Sequence, residues 1–273
     1  MEIEITSPNK ILFPKDKIKK IDVIEYYVNV SKFMLPFAIN RLLSVIRCHD
    51  GVQGETFFKK HPAKGEKDVE IFKYKGRDYF YIKSANQLAY QAQMGTIEFH
   101  TWGSTVSKLR KPDVMVFDLD PDDKLPLAKL RTAVLKVKSV LDDLDLLSFL
   151  KTSGGKGYHI VVPFSKTGSW DSFYAFAKNI AVIAEQKWGK DFTTNIRKSE
   201  RKGKIFIDYM RNNIGATCIA PYSLRACNGA TLSMPISWND LDKVKPNEVT
   251  IKTYKKYLND SWSEFYDVKQ ELK

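Results

Sequence analysis

Two aspartates at the end of one apolar run are the residues of this sequence best suited to bind a divalent cation. The run Val114-Met115-Val116-Phe117-Asp118-Leu119-Asp120-Pro121 is typical of a strand that a proline ends. Because side chains alternate across a strand, Asp118 and Asp120 lie on one face, about 6–7 Å apart, and their apolar neighbours lie on the other. Carboxylate oxygens at this spacing can hold one or two hard divalent cations. A strand end with two solvated acids is an equally open interpretation of this stretch alone.

The elements that follow these aspartates predict a split βαβ sheet. Apolar periodicity and turn residues indicate a strand, a helix, two strands joined by a glycine-rich loop, a second helix and a last strand. These elements cover residues 114–119, 126–145, 146–152, 158–163, 170–187 and 204–209. In a β-α-β-β-α-β sheet the first strand lies beside both the third and the fourth. The strand of Asp118 should therefore neighbour the strands of His159 and Asp208.

This arrangement would gather three carboxylates and one histidine on one face of the sheet. Asp208 ends the apolar run Ile205-Phe206-Ile207-Asp208, where a carboxylate is costly unless it is paired or binds metal. Pairing with a nearby arginine or lysine stays open as the simpler explanation. Three acids around two cations suit in-line phosphoryl or nucleotidyl transfer, in which the metals activate a hydroxyl and stabilise the developing charge.

The loop Ser153-Gly154-Gly155-Lys156-Gly157 could hold phosphate groups beside these acids. It joins two strands, so it differs from a Walker A loop, which opens a helix. Its glycines let backbone N–H groups approach phosphate oxygens, and Lys156 adds positive charge. A hairpin loop that binds nothing, followed by a packed or solvated His159, is the alternative.

The first part of the chain predicts a smaller α/β region with a basic and aromatic surface. A helix over 22–35, strands over 42–48, 55–60, 69–74, 78–83 and 97–102, and a short helix capped by Ser84 are expected. Phe57 and Phe58 are neighbours on one strand, which predicts one core ring and one exposed stacking platform, although two core rings are also possible. Residues 246–273 are expected to form a covering helix.

Composition favours a polyanionic partner and excludes a membrane-spanning protein. The 273 residues carry 44 Lys and Arg against 32 Asp and Glu, a net charge of +12, with 12% aromatics. Dispersed positive charge with many aromatics favours nucleic acid over a lipid surface, although a merely basic protein remains possible. Cys48, Cys218 and Cys227 are odd in number and lack C-x-x-C spacing, which predicts reduced thiols in the cytoplasm. No apolar run reaches the roughly 20 residues of a membrane span, and no signal peptide is indicated.

Several short motifs, in this order, resemble one family. They are Asn9-Lys10-Ile11-Leu12-Phe13-Pro14, Gly54-Glu55-Thr56-Phe57-Phe58-Lys59-Lys60, Glu98-Phe99-His100-Thr101-Trp102-Gly103, Val116–Pro121, Thr152–His159, Ile207-Asp208-Tyr209 and Ile219–Arg225. The chain resembles the end-joining DNA repair polymerases of the archaeo-eukaryotic primase superfamily. It is similar in particular to the polymerase domain of bacterial ATP-dependent DNA ligase D. The resemblance spans almost the whole chain.

The resemblance implies a template-dependent polymerase that extends or fills broken DNA ends, prefers ribonucleotides and uses two manganese or magnesium ions. Matched motif by motif, it implies three groups of site residues. The metal carboxylates are Asp118, Asp120 and Asp208; the nucleotide contacts are His100, Ser153, Lys156, His159 and Arg225; the DNA contacts are Lys10 and Lys20 at a downstream 5′-phosphate, with Arg47, Phe57, Phe58, Lys60 and Arg201. The sequence departs from the family pattern at Arg211, where relatives carry an amide, and at Ser7.

The sequence therefore predicts one α/β (α+β) module of 273 residues with a primase/RRM-like catalytic sheet. A DNA-end-binding part over 1–111, a catalytic core over 112–225 and a C-terminal covering segment over 226–273 are expected. No K-x-D-G ligase motif is present, so Ku and a separate or fused ligase are expected partners, besides DNA and nucleotides. A metal-dependent nuclease and a non-catalytic RNA-binding module remain alternatives, because both could share the acids or the sheet.

Overall fold

The computed structural model describes residues 4–272, and the chain divides into two compact units. The first unit takes in the residues up to Ser107, with Thr217–Ser233 and Thr250–Lys256. The second takes in Lys108–Ala216, Met234–Val249 and the residues from Tyr257 onward. Residues 226–273, expected to form one covering segment, are thus shared between the units. The interpretation of the whole chain as a single module stays a prediction.

Within the described residues the chain forms fourteen strands and four α-helices. The helices are α1 (Lys20–Ala38), α2 (Ala85–Gln93), α3 (Leu127–Asp142) and α4 (Trp170–Lys187). The strands are β1 (Ile11–Phe13), β2 (Ile18–Lys19), β3 (Leu43–Arg47), β4 (Phe57–Lys59), β5 (Glu70–Tyr74), β6 (Arg77–Tyr81), β7 (Thr96–Thr101), β8 (Val114–Pro121), β9 (Phe149–Thr152), β10 (Tyr158–Pro163), β11 (Phe192–Thr193), β12 (Ile205–Asp208), β13 (Cys218–Ile219) and β14 (Pro235–Ile236). None of these helices is both long enough and apolar enough to cross a bilayer.

The second unit contains the predicted split βαβ sheet. Its strand order is β11-β12-β8-β10-β9-β14, and β8 pairs antiparallel with both β10 and β12. The β-α-β-β-α-β order and the central place of the first strand are therefore confirmed. Two short strands, β11 and β14, extend the sheet at its edges.

Helices α3 and α4 pack on each other and cover one face of this sheet. Side chains of β8 alternate between the two faces of the sheet. Met115, Phe117 and Leu119 lie under the helices and are fully buried, whereas Asp118 and Asp120 are only partly buried. The buried residues of the two helices recur at the spacing of one helical face: Leu130, Val134, Val137 and Leu141 on α3, and Phe173, Ala177, Ile180 and Ala184 on α4. Each large apolar side chain buried here contributes roughly 1.5–3 kcal/mol. The opposite face carries Asp118 and Asp120 together with the buried Val116.

A buried asparagine continues the pairing of β8 where β12 ends. The Asn212 amide accepts a hydrogen bond from the Val116 N–H at 2.7 Å and donates one to the Val116 carbonyl at 2.7 Å. Strand β12 stops at Asp208, opposite Asp118, so Val116 lacks a strand partner on that side. The side chain of Asn212 supplies both missing backbone hydrogen bonds and fixes the strand that carries the aspartates.

The first unit is built on a second sheet, of order β13-β7-β3-β4. Helices α1 and α2 pack on each other beside it. Two buried tyrosines of α1 satisfy carbonyls within the unit, because Tyr26 donates to Tyr222 at 2.6 Å and Tyr27 donates to Ile97 at 2.5 Å. The predicted cap is confirmed, with Ser84 Oγ accepting from the Gln87 N–H. Strands β5 and β6 form a separate hairpin.

The predicted C-terminal helix over 246–273 is wrong. Up to residue 272 this stretch contains turns and one short 3₁₀ segment, Tyr254–Tyr257. Its backbone groups bond to neighbouring loops, and its aromatic rings anchor it: Trp262 stacks on Phe265 at 5.0 Å and donates to the Leu150 carbonyl at 3.0 Å. The segment contributes residues to two different cores, which one continuous apolar helix face could not do.

Replacing Asn212 by alanine should destabilise the second unit. Two buried backbone groups of Val116 would lose their partners, at about 1–3 kcal/mol each, so we expect a loss of roughly 2–4 kcal/mol in the free energy of unfolding. Denaturant unfolding of the full chain measures it. Asn213→Ala, at the exposed neighbouring position, is the matched control and should change stability by less than about 0.5 kcal/mol. Equal stability of both variants would contradict this role of Asn212.

Candidate active site

Strand register brings the predicted carboxylates together on the open face of the second unit's sheet. Asp118 lies opposite Asp208 of β12 and, on its other side, opposite His159 of β10. Opposed Cα atoms in antiparallel strands are about 4.5–5.5 Å apart. Asp120 follows two residues later on the same face, opposite Phe206. The predicted placement of these residues on a single face of the sheet matches the observed register.

Two arginines lie against these carboxylates. The Arg211 Nε is 3.0 Å from Asp208 Oδ2, and its Nη2 is 3.9 Å from Asp118 Oδ2. The Arg201 Nη1 is 3.2 Å from Asp120 Oδ2, and its guanidinium lies 3.7 Å from the centre of the Phe206 ring. Arg201 was predicted to contact DNA; here it holds a carboxylate, and its DNA role stays a prediction. The positive charge of the arginines offsets the crowding of the acids.

This environment shifts the pKa values of the three aspartates in different directions. Burial works to raise the pKa of Asp118, but His159, Arg211 and Lys151 outweigh it and lower that pKa to about 2. Burial, followed by the negative charge of Asp118, raises the pKa values of Asp120 and Asp208 above their usual range, against the opposing effect of the arginines. Burial and mutual repulsion thus make the charged forms of Asp120 and Asp208 less favourable than in water.

The donor chemistry of this face fits hard divalent ions. Three carboxylates supply the oxygen ligands that magnesium and manganese prefer. Over residues 4–272, no three His, Cys, Asp or Glu side chains converge closely enough to form a ready-made metal cluster. The guanidinium groups of Arg201 and Arg211 contact the same oxygens, so metal binding requires these side chains to turn away. Asp118, Asp120 and Asp208 are the residues that would hold the ions.

The glycine-rich loop between β9 and β10 is folded around Ser153. Its Oγ accepts hydrogen bonds from the N–H groups of Gly155 at 3.0 Å and Gly157 at 3.2 Å. A Cβ atom on Gly157 would lie 2.0 Å from the Leu119 carbonyl oxygen, so only glycine permits this approach to β8. Gly154 has a φ of +70°, another conformation that favours glycine. The loop is thus held against the strand of the aspartates.

Lys156 is the exposed charge of this loop. Its ammonium pairs with Asp123, and this hydrogen bond raises the pKa of Lys156. Two of the loop amides expected to reach phosphate are bonded to Ser153, so the loop is preorganised and Lys156 is its accessible cation. The nucleotide-binding roles of Ser153 and Lys156 remain predictions.

Lys151 was missed by the sequence analysis. It lies opposite His159 in the register of β9 and β10, is 1% exposed, and places Nζ 2.8 Å from His159 Nδ1. The His159 Nε2 in turn is 3.3 Å from Asp118 Oδ1. The signal was available, because a tight hairpin around residues 153–157 pairs these two positions. The sequence analysis predicted the strand and did not single out Lys151.

In the first unit, a buried glutamate organises two predicted nucleotide contacts. Glu98 is 2.9 Å from His100 Nε2 and 3.1 Å from Arg225 Nη1, and it accepts a hydrogen bond from the Ala226 N–H at 2.8 Å. Burial would raise the pKa of Glu98, but these partners lower it below its usual range. Glu98 was not singled out from sequence, although it lies two residues before His100, on the same face of β7.

The prediction of one core ring for Phe57 and Phe58 is wrong, because both rings are exposed, at 43% and 56%. They lie on β4, the edge strand of its sheet. The Lys60 ammonium lies 5.3 Å from the Phe58 ring centre. These residues line an open cleft of about 440 Å³, together with Arg47, His49, Lys59 and His61. An aromatic and basic cleft of this kind suits bases and phosphates.

Arg47, a predicted DNA contact, is buried at the back of this cleft. Its Nη2 lies 2.5 Å from Glu66 and 2.7 Å from the Gln91 side-chain oxygen. Glu66 also pairs with Lys59; burial would raise the pKa of Glu66, but Lys59, the Ala63 N–H and Arg47 lower it to about 2. Arg47 thus fixes the loop that carries Glu66, and direct contact with DNA stays a prediction.

The predicted phosphate lysines lie close together in the first unit. The Lys20 N–H donates to the Lys10 carbonyl at 2.8 Å, and the buried Lys20 ammonium donates to the Thr6 carbonyl at 2.8 Å. Burial, with the charge of Lys10, lowers the pKa of Lys20. The Lys10 ammonium pairs with the exposed Asp50 at 2.8 Å. An anion placed beside both ammonium groups would relieve their repulsion.

This chain is similar to a known protein family and to several known proteins. Residues 19–264 match the family model described as LigD, primase-polymerase domain. The chain is 33% identical over 281 residues to the multifunctional non-homologous end joining protein LigD of Pseudomonas aeruginosa, a match covering 99% of this chain and 34% of that protein. It is 30% identical over 269 residues to the bifunctional non-homologous end joining protein LigD of Bacillus subtilis, covering 97% and 44%. The chain thus spans less than half the length of these curated relatives.

A solved structure with the same fold is the polymerase domain from Mycobacterium tuberculosis Ligase D in complex with DNA. The TM-score is 0.85 at 29% identity, and the match covers 92% of each chain. The fold class and the family resemblance predicted from sequence are confirmed by these similarities.

Asp118→Asn and Asp208→Asn should change stability in opposite directions in metal-free protein at pH 7. The folded pKa of Asp118, about 2, is below its unfolded value, so its stabilisation is present above about pH 4 and is lost as pH falls toward 2. Its removal should cost roughly 2–3 kcal/mol in the free energy of unfolding. The pKa of Asp208 is raised, so its carboxylate destabilises the fold at neutral pH, and asparagine should relieve that cost.

Denaturant unfolding with a chelator present measures both variants. Asp267→Asn, at an exposed position of the same unit, controls for general loss of negative charge. A destabilised Asp208→Asn variant, or an unaffected Asp118→Asn variant, would contradict the assigned directions.

Proposed function

The chain belongs to the family of LigD primase-polymerase domains, DNA-directed nucleotidyltransferases, and on this premise we propose that it extends or fills DNA ends in a template-dependent manner during non-homologous end joining. The observation that carries the proposal is the in-register group of Asp118, Asp208 and His159, with Asp120 on the same face. The relatives whose names refer to non-homologous end joining support the repair context.

The proposed reaction is a nucleotidyl transfer. The primer 3′-hydroxyl loses its proton to solvent, and its oxygen forms a bond to the α-phosphorus of the nucleotide. The bond from that phosphorus to the β-phosphate oxygen breaks, and pyrophosphate leaves with those electrons. Divalent ions bound by Asp118, Asp120 and Asp208 would lower the pKa of the 3′-hydroxyl and offset the charge on the phosphates. Lys156 would neutralise the outer phosphates, and the Nε2 side of His159 would face a phosphate or sugar oxygen.

Nucleotide contacts from the first unit are part of the same proposal. Glu98 holds His100 and Arg225 beside each other, which presents a guanidinium and an imidazole to an anionic ligand. A preference for ribonucleotides and for manganese is proposed from the family resemblance. The three carboxylates on one face of the sheet support divalent ions in general.

DNA is the proposed polymer partner. The exposed rings of Phe57 and Phe58, with Lys60 beside them, suit unstacked bases and backbone phosphates. The net charge of +12 supports binding to a polyanion. The solved relative in complex with DNA fits this assignment. Ku and a ligase are proposed as functional partners, and the three cysteines, which form no disulfide within residues 4–272, favour action in a reducing cytoplasm.

Extension of a gapped duplex with a downstream 5′-phosphate tests the function. With manganese, the chain should add ribonucleotides complementary to the template more efficiently than deoxynucleotides. Asp118→Ala and Asp120→Ala should each lower extension by at least about 10³-fold, because they remove metal ligands. DNA affinity should stay unchanged or rise slightly, since negative charge is lost.

Asp142→Ala, an exposed change on α3, is the matched control and should extend normally. End-labelled DNA that shortens instead of lengthening would favour a nuclease. DNA that does neither, with binding retained, would favour a non-catalytic nucleic-acid-binding module.

Lys10 and Lys20 should give the protein a preference for gapped DNA that carries a 5′-phosphate. Parent protein should bind a 5′-phosphorylated gap more tightly than a 5′-hydroxyl gap, by roughly 10- to 150-fold per charge-assisted contact. Lys10→Ala with Lys20→Met should lose that preference. The matched control, Lys15→Gln with Lys17→Asn, removes two exposed charges of the same segment, and asparagine tolerates the φ of +55° at position 17.

General basic contacts would weaken both substrates alike and lower the salt slope by about 0.9 per lysine on duplex DNA. If the Lys10 and Lys20 double variant still discriminates phosphate from hydroxyl as the parent does, the phosphate pocket lies elsewhere.

A further inference from the structure

Lys151 is a buried cation whose place in the sheet calls for a reason. It is 1% exposed and lies on β9, in the row that crosses the sheet through His159, Asp118 and Asp208. Burying an ammonium group is costly unless polar partners compensate it. One of its partners is the His159 ring, 2.8 Å from Nζ to Nδ1.

The chemistry of that contact fixes the proton on the imidazole. An ammonium group has three N–H donors and no acceptor, so His159 Nδ1 must accept the hydrogen bond. In a neutral imidazole the ring proton is then on Nε2. The Nε2 is 3.3 Å from Asp118 Oδ1, and an N–H there is attracted to the carboxylate, whereas a bare nitrogen lone pair would be repelled by it.

We propose that Lys151 is a positioning residue, which fixes His159 as an Nε2–H donor directed toward the face that carries Asp118. The contacts from Lys151 to His159 and from His159 to Asp118 need no bound metal ion or nucleotide. Their consequence for catalysis rests on the proposed function, in which the same N–H would meet an oxygen of the nucleotide. Lys151 touches no substrate in this scheme and acts through His159.

A lysine that only fills space in the core predicts something different. In that case any side chain of similar volume would serve, and the tautomer of His159 would not depend on position 151. Methionine matches the length of the lysine stem and carries no N–H donor. Glutamine keeps an N–H donor without the charge. These two substitutions separate packing from hydrogen bonding.

Nitrogen NMR of the imidazole rings in the metal-free full chain tests the geometry without any assay of activity. The sequence has four histidines, and His159→Gln identifies the signal of interest. At about pH 8, above the usual histidine pKa, we expect a single His159 tautomer in the parent, protonated at Nε2. Lys151→Met should give a mixture or the Nδ1-protonated form, and Lys151→Gln should keep the parent signal.

The surface change Lys138→Met, on α3, is the control and should leave the His159 signals unchanged. Protonation at Nδ1 in the parent, or an unchanged tautomer in Lys151→Met, would overturn the inference. Should Lys151→Met fail to fold, Lys151→Leu, which also lacks an N–H donor, takes its place with the same expected and contradicting results. Loss of the parent signal in Lys151→Gln would also overturn the inference.

A double-mutant cycle on nucleotide extension tests the consequence. Lys151→Met should lower kcat/KM by roughly 5- to 30-fold, and Lys151→Gln should recover much of the loss. The double variant with His159→Ala should match His159→Ala alone within about twofold, because Lys151 acts through that ring. Losses that multiply would overturn the inference. If the parent extends no DNA, the proposed function fails, and the NMR result still decides the role of Lys151.

Discussion

The crowding of three carboxylates on one sheet face is the constraint on which the rest of the second unit depends. Asp118 and Asp208 face each other across two strands, with Asp120 on the same face, and like charges at this spacing repel strongly in a partly buried site. Cations lie on both sides of these acids: Arg211 and Arg201 come from the segments around β12, and Lys151 lies beyond His159 on the other side. Burial and the negative charge of Asp118 nevertheless raise the pKa values of Asp120 and Asp208.

The opposite face of the same strands explains why the protein tolerates this cost. Phe117 and Leu119 alternate with the acids and are fully buried under α3 and α4. The amide of Asn212 and the glycine contact at Leu119 hold β8 from either side. Because the backbone is fixed by apolar packing and by these contacts, the acids cannot move apart to reduce their repulsion. In the proposed function, divalent cations bound by these acids would reduce that repulsion.

Much of the second unit's fold could be predicted from sequence, because the alternation of apolar side chains and the turn residues are local signals. The β-α-β-β-α-β order and the shared face of Asp118, Asp208 and His159 followed from a period of two and from short loops. The partners of Glu98, Glu66 and Asp120 could not be predicted, since each lies in a distant segment whose approach depends on side-chain packing. The exposure of Phe57 depends on β4 being an edge strand, which is a property of the whole sheet. The absence of an α-helix over residues 246–272 depends on aromatic anchors such as Trp262.

The row formed by Lys151, His159, Asp118 and Asp208 has a positive end and a negative end. This difference in charge limits how an anionic ligand can lie on the sheet. Asp208 and Asp118 place negative charge at one end, while His159 and Lys151 place donors and positive charge at the other. Lys156 extends the positive end from the loop that packs on Leu119. A chain of phosphates has its lowest electrostatic energy with its outer groups toward Lys156, and it tolerates the aspartate end only where cations intervene. In the proposed function, these charges would direct the reacting phosphate of a nucleotide to the carboxylates and its outer phosphates toward Lys156.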